Sequence, residues 1–167
     1  MNVVYKLMNA VFFIVFFIFS FQAHANHTKI DKDLINLMSS LNNNVIGINF
    51  LKEHKYEMAI EFFISKIENN NFDSASNLGL IYEYLKKDYI KAEEFYKISA
   101  FEGNAFGQYN LGILNYIVKK NKNDGYKWIV CSANQGYLLA LEAKSFLLKN
   151  FMIEINEAKL IEDNLTC

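Results

Sequence analysis

The chain has 167 residues, with 17 basic side chains, all of them Lys, against 18 acidic ones, for a net charge of −1. Without Arg there is no bidentate fork for phosphates or guanine edges, and the Lys residues alternate with Asp and Glu instead of forming a stripe. Nucleic-acid binding is therefore disfavoured, and the wealth of Asn, Lys, Ile, Phe and Tyr matches the bias of an AT-rich genome.

The first 25 residues carry one charge, Lys6, followed by an apolar run from Ala10 to Phe19 and the ending Ala23-His24-Ala25. A positive start, an apolar stretch of about 7–15 residues and a small-x-small ending mark a secretory signal peptide. The run is shorter than the ~20 residues that span a bilayer, so an uncleaved anchor or a buried core helix is the weaker reading. No Cys follows the run, which argues against a lipid anchor. Cleavage is expected after Ala25, giving a periplasmic or secreted protein with no membrane attachment. Residues 26–167 then form one domain, long enough for a core. Loss of Lys6 leaves sixteen Lys against eighteen acids, a net charge of −2.

Self-comparison at an offset of 33 residues aligns several series. Ala59, Ala92, Gly125 and Ala158 form one, and Phe62, Phe95, Trp128 and Ile161 a second. Val45, Leu78 and Leu111 form a third, with Gly79 and Gly112 beside the last two. Ala100 pairs with Ala133, Gly103 with Gly136, and small residues recur at Ser74, Gly107 and Ala140. Within a unit, Ala75, Leu78, Gly79 and Tyr82 follow helical steps, as do Ala92, Phe95, Tyr96, Ser99 and Ala100. Each unit is thus predicted to be a helix pair, ended near Gly103 or Gly136, where Gly takes positive φ at little cost. The small residues let paired helices approach, and Phe95 or Trp128 is expected to fill the space beside them. One pair cannot bury its stripe alone, so neighbouring pairs stack. The expected units are approximately 41–73, 74–106, 107–139 and a capping 140–167.

Signals for chemistry are weak. The chain has no glycine-rich phosphate loop, His-Glu-x-x-His pair, Cys-x-x-Cys or Gly-x-Ser-x-Gly elbow. His24 leaves with the signal peptide, and His27 with His54 reads as a solvated pair rather than a metal site. Glu93 and Glu94, adjacent on a helix, diverge by about 100° and cannot face one substrate together. No catalytic residue, metal or cofactor is expected, and a hydrolase is the least supported reading. Cys131 and Cys167 leave two alternatives. Export allows a disulfide tying the C-terminal residue to the preceding unit; otherwise Cys131 is a small buried side chain and Cys167 lies at a frayed end.

The stretch Lys91-Ala-Glu-Glu-Phe-Tyr-Lys-Ile-Ser-Ala-Phe-Glu-Gly-Asn-Ala-Phe-Gly-Gln-Tyr-Asn-Leu-Gly112 resembles the consensus of the Sel-one-like repeat family, a branch of the tetratricopeptide superfamily. Tyr126-Lys-Trp-Ile-Val-Cys-Ser-Ala-Asn-Gln-Gly136 repeats part of it. The likeness runs from Val45 to Gln135 and reaches Asp163 more weakly. Lys144 and Ser145 replace the Leu-Gly pair, which suits a capping unit, and the usual insertion between the helices is missing. The resemblance implies an all-α, right-handed solenoid of about four antiparallel helix pairs whose concave groove holds partners. On the Leu-Gly register it places Ser76, Leu80, Glu83 and Tyr84 in that groove from one unit, and Tyr109, Ile113, Tyr116 and Ile117 from the next. Clustered Tyr suits a binding surface, although the same aromatics could instead pack between units. The implied partner is another protein, either a toxin or an envelope protein. The sharpest form of this reading is a periplasmic immunity protein, and the alternative is a secreted effector or envelope regulator.

Overall fold

The structure, a computed structural model, describes residues 34–36, 38, 44–150 and 153–167. The expected leader 1–25, its cleavage point and His27 lie outside the described residues. Within them every regular element is helical, as expected for an all-α chain. The helices are α1 (Val45–Lys52), α2 (Tyr56–Ile67), α3 (Phe72–Leu80), α4 (Tyr89–Phe101), α5 (Ala105–Ile113), α6 (Lys122–Asn134), α7 (Leu138–Lys149) and α8 (Ile155–Asp163). Helices α3 and α5 each run on into a π-helical turn, Ile81–Leu85 and Leu114–Val118.

The spacing of these elements is regular. Helices α2, α4, α6 and α8 start at Tyr56, Tyr89, Lys122 and Ile155, and α3, α5 and α7 at Phe72, Ala105 and Leu138, in steps of 33 residues. The turns keep the same step. Positive φ occurs at His54, Lys87 and Lys120 (56°, 55° and 56°) and again at Asn70, Gly103 and Gly136 (62°, 78° and 80°). Consecutive helices from α1 to α7 pack against each other, α3 also meets α5, and α8 packs on α6.

Local chemistry explains where the helices begin and end. The side-chain oxygens of Asn71 and Asn104 accept hydrogen bonds from the backbone N–H of Ser74 (3.0 Å) and Gly107 (2.9 Å), satisfying donors that a helix start leaves free. Asp88 and Asn121 cap α4 and α6 in the same way. These caps start α3 and α5 two residues ahead of the unit boundaries expected at 74 and 107. At the other end, the N–H groups of Gly103 and Gly136 bond back to Ala100 and Ala133, and their left-handed backbone is the conformation glycine favours. In the π turns, Lys86 N–H reaches Ile81 C=O at 3.1 Å and Lys119 N–H reaches Leu114 C=O at 3.2 Å, five residues back.

The core falls into two clusters that meet between α5 and α6. The first runs from Leu34, Ile35 and Met38 through α1–α5, and the second from Tyr126 to Ala158. Ala59, Ala92, Gly125 and Ala158 are all buried, as the shared offset implies. The side chains beside the small residues differ from expectation. Tyr96 lies against Gly79, and Ile129 lies 2.8 Å from where a Cβ on Gly112 would stand. Phe95 and Trp128, one position earlier, are only half-buried. Phe95 stacks on Tyr82 at 5.4 Å, and Trp128 meets Phe101 edge-on at 5.3 Å. One residue is about 100° of helix rotation, so the neighbouring position takes the buried seat. Val45, in the third series, is 59% exposed while Leu78 and Leu111 are buried.

The C-terminal unit is held differently. Lys144, at the position of Leu78 and Leu111, forms an ion pair with Glu162 of α8 at 2.9 Å. The Tyr126 hydroxyl donates to Glu162 at 2.7 Å. Cys131 and Cys167 are joined by a disulfide, with Cα atoms 5.7 Å apart. No described helix is long and apolar enough to cross a membrane.

Candidate protein-binding face

The eight residues expected to line a groove divide into two sets. Ser76, Leu80 and Glu83 are buried. The Ser76 hydroxyl donates to Ser99 at 2.8 Å, and the Glu83 carboxylate accepts from the Tyr96 hydroxyl at 2.7 Å. Ser76 and Glu83 therefore lie in the seam with α4 and Leu80 in the first core cluster, a correction to the groove assignment. Helix α3 is wedged among α2, α4 and α5, so every residue from Ser74 to Ile81 is buried and no face of that stretch is left for a partner.

Tyr84, Tyr109, Ile113, Tyr116 and Ile117 are half-buried. Tyr84 packs on the first core cluster, and Tyr109, Ile113 and Tyr116 on the second. Each thus combines packing with an accessible edge. Tyr84 lies within electrostatic reach of Tyr109, and Tyr109 stands 5.5 Å from the ring of Tyr137. Tyr137, immediately before α7, also approaches Phe106 at 6.3 Å. The aromatic row therefore crosses from the end of α3 over α5 to the start of α7. Sequence reasoning missed Tyr137, although it occupies the place where Asn71 and Asn104 cap the earlier units; an aromatic there was the available signal.

The row is uncharged in its middle, while at one end Lys87 Nζ lies 5.9 Å over the Tyr84 ring. From Ala105 to Val118 no residue carries a charge. Burial, followed by the Glu83 carboxylate, pushes the Tyr84 phenol well above its ordinary range. Burial and then Glu142 raise Tyr109, and burial raises Tyr116. Tyr137 is pushed up to about 12 by burial and then by Tyr109. All four phenols are neutral at physiological pH and can donate a hydrogen bond. The buried Tyr137 hydroxyl and Asn110 amide nitrogen have no hydrogen-bond partner among the described residues.

The candidate chemical groups are dispersed. His54 sits in the α1–α2 turn with Nδ1 2.9 Å from the Tyr56 hydroxyl. Glu93 is half-buried between Lys97 (2.8 Å) and Lys119 (2.9 Å), while Glu94 is exposed. Burial opposes ionisation of Glu93, but the bonds from Lys97 and Lys119 outweigh it and lower its pKa. Among the described residues no His, Cys, Asp or Glu cluster is arranged to hold a metal. An open cleft of about 460 Å³ lies between α2, the end of α3 and the start of α4, lined by Glu57, Ile60, Glu61, Tyr82, Lys86, Asp88 and Lys91. Its charges largely answer one another: Lys86 pairs with Glu57 at 2.9 Å, Lys91 lies 5.0 Å over the Tyr82 ring, and Asp88 caps α4.

No protein-family model, curated protein or solved structure matches this chain.

Proposed function

We propose that the chain is an exported protein-binding module, a right-handed solenoid of Sel-one-like repeats that docks a partner protein on the Tyr84–Tyr109–Tyr137 row. The observation that carries this reading is the row itself: half-buried tyrosines from the end of α3, from α5 and from the start of α7, the middle one set on the uncharged stretch from Ala105 to Val118. Tyrosine offers a large contact area and a hydrogen bond at low entropic cost, the make-up of interface hot spots. The 33-residue recurrence of helix starts and turns supports the solenoid. The signal-like N-terminus supports export, and the disulfide fits an oxidising compartment. A periplasmic immunity protein that neutralises a toxin is the sharpest form of the proposal, and it calls for tight one-to-one binding.

The test is a pull-down from the native organism with residues 26–167 as bait, beside a Tyr84→Ala, Tyr109→Ala, Tyr137→Ala variant checked for helicity by circular dichroism. One stoichiometric partner that the folded variant loses, and that withstands raised salt, is the expected result. The absence of charge on α5 leaves little for salt to screen. A partner held equally by both baits sinks the face, and steep salt sensitivity sinks the uncharged docking mode.

A further inference from the structure

The three outward seats of the second helices allow a comparison at one position. Ser65 on α2 and Ile98 on α4 are exposed, Ile98 by 40%, whereas Cys131 at the same place on α6 is only 2% exposed. Val130 shows the same contrast, being buried where Ile64 and Lys97 are exposed. What distinguishes α6 is the end of the chain: α8 packs on it and Cys167 is bonded to Cys131. The noncovalent hold on α8 is limited to its packing on α6, with Ala158 and Ile161 joining the second core cluster and Ile153 and Leu165 flanking them. Ala158 is its one fully buried side chain among those described, Leu160 is 65% exposed, and Glu154 at its start makes no side-chain cap. Glu162 adds the hydrogen bond from Tyr126 and the ion pair with Lys144, both partly open to solvent. A nine-residue helix with so few contacts is far below the length at which helices persist alone, about 12–15 residues.

We propose that the Cys131–Cys167 disulfide is a thiol-sensitive latch: oxidised, it holds α8 against α6, and reduced, it lets α8 leave while α3–α6 stay folded. Cys167 is exposed and Cys131 is not, so a thiolate of an external dithiol attacks the Cys167 sulfur. The S–S bond breaks, a mixed disulfide forms on Cys167, and Cys131 departs as a thiolate that takes up a proton. The second thiol of the dithiol then closes its own disulfide and frees Cys167 as a thiol. Two electrons pass from the dithiol to the protein disulfide, and the opened state uncovers Val130 and Cys131. The latch spans one helix because the covalent link bridges α6 and the last residue and nothing between α1 and α5.

Amide hydrogen exchange on the full chain, with and without dithiothreitol, tests this. Reduction is expected to speed exchange in Ile155–Asp163 by about tenfold or more while α3–α6 keep their protection. A Cys131→Ser, Cys167→Ser variant is expected to show the reduced pattern without dithiothreitol and no response to it. Unchanged protection of α8 in the reduced wild type overturns the proposal, because noncovalent contacts then suffice. Loss of protection throughout α3–α8 overturns it as well, because the bond then holds the whole fold.

Discussion

Glu83 shows how a residue that reads as surface becomes part of the interior. The residue is 9% exposed, and its carboxylate accepts a hydrogen bond from the Tyr96 hydroxyl at 2.7 Å. Burial raises its pKa, while the bond from Tyr96 and the charge of Lys87 only partly offset the rise. The folded-state value therefore lies above the unfolded one. The stability that neutral Glu83 contributes is complete below the ordinary carboxylate range and is lost as pH rises through the raised value. Glu83→Gln keeps an acceptor for Tyr96 without a charge to bury. The variant is expected to gain thermal stability relative to wild type at pH 7 and to show little difference near pH 4, as read by melting curves at both values. An equal offset at both pH values would mean that Glu83 is already neutral at pH 7. In the sequence Glu83 carried no sign of this state, because its partner Tyr96 comes from the opposite helix of the pair.

Between helices, the decisive feature is the approach of α3 to α4 at Gly79. A Cβ there would run into the ring of Tyr96, which is fully buried and tethered to Glu83. The ring cannot swing aside without losing that bond. Gly79→Ala is expected to destabilise the protein by about 1–3 kcal/mol, the usual cost of overpacking a filled core, measured by urea unfolding. No loss would mean that the ring relocates freely. The glycine and its 33-residue partner Gly112 were visible in the sequence, but the identity of the facing side chain was not. Series 62/95/128 and 63/96/129 both recur at the same offset, and periodicity alone cannot say which one the neighbouring helix covers.

Across the whole molecule, stability is expected to follow the depth of packing. Helix α3 is buried continuously from Ser74 to Ile81, whereas the fully buried residues of α7 are Ala140 and Leu147. In a stack where each element touches its neighbours, terminal units lose partners on one side. Amide exchange is therefore expected to be slowest in α3–α6 and roughly tenfold or more faster in α7. Uniform protection along the chain would instead indicate one global opening.

From the sequence alone came the helical class, the 33-residue step and the turn positions Gly103 and Gly136, since backbone conformation and amphipathic spacing are local properties that each residue carries with it. The asparagine caps were not read from the sequence, although they too are local, a side chain bonding the backbone three residues on. Burial and partnership are different in kind. Ser76, Leu80 and Glu83 left the groove because three other helices surround α3, and Tyr137 joined the aromatic row because α7 begins beside Tyr109. The union of Cys131 with Cys167 depends on α8 returning to α6 across 36 residues. Contacts at such separations are set by how helices stack, and only the tertiary structure decides them.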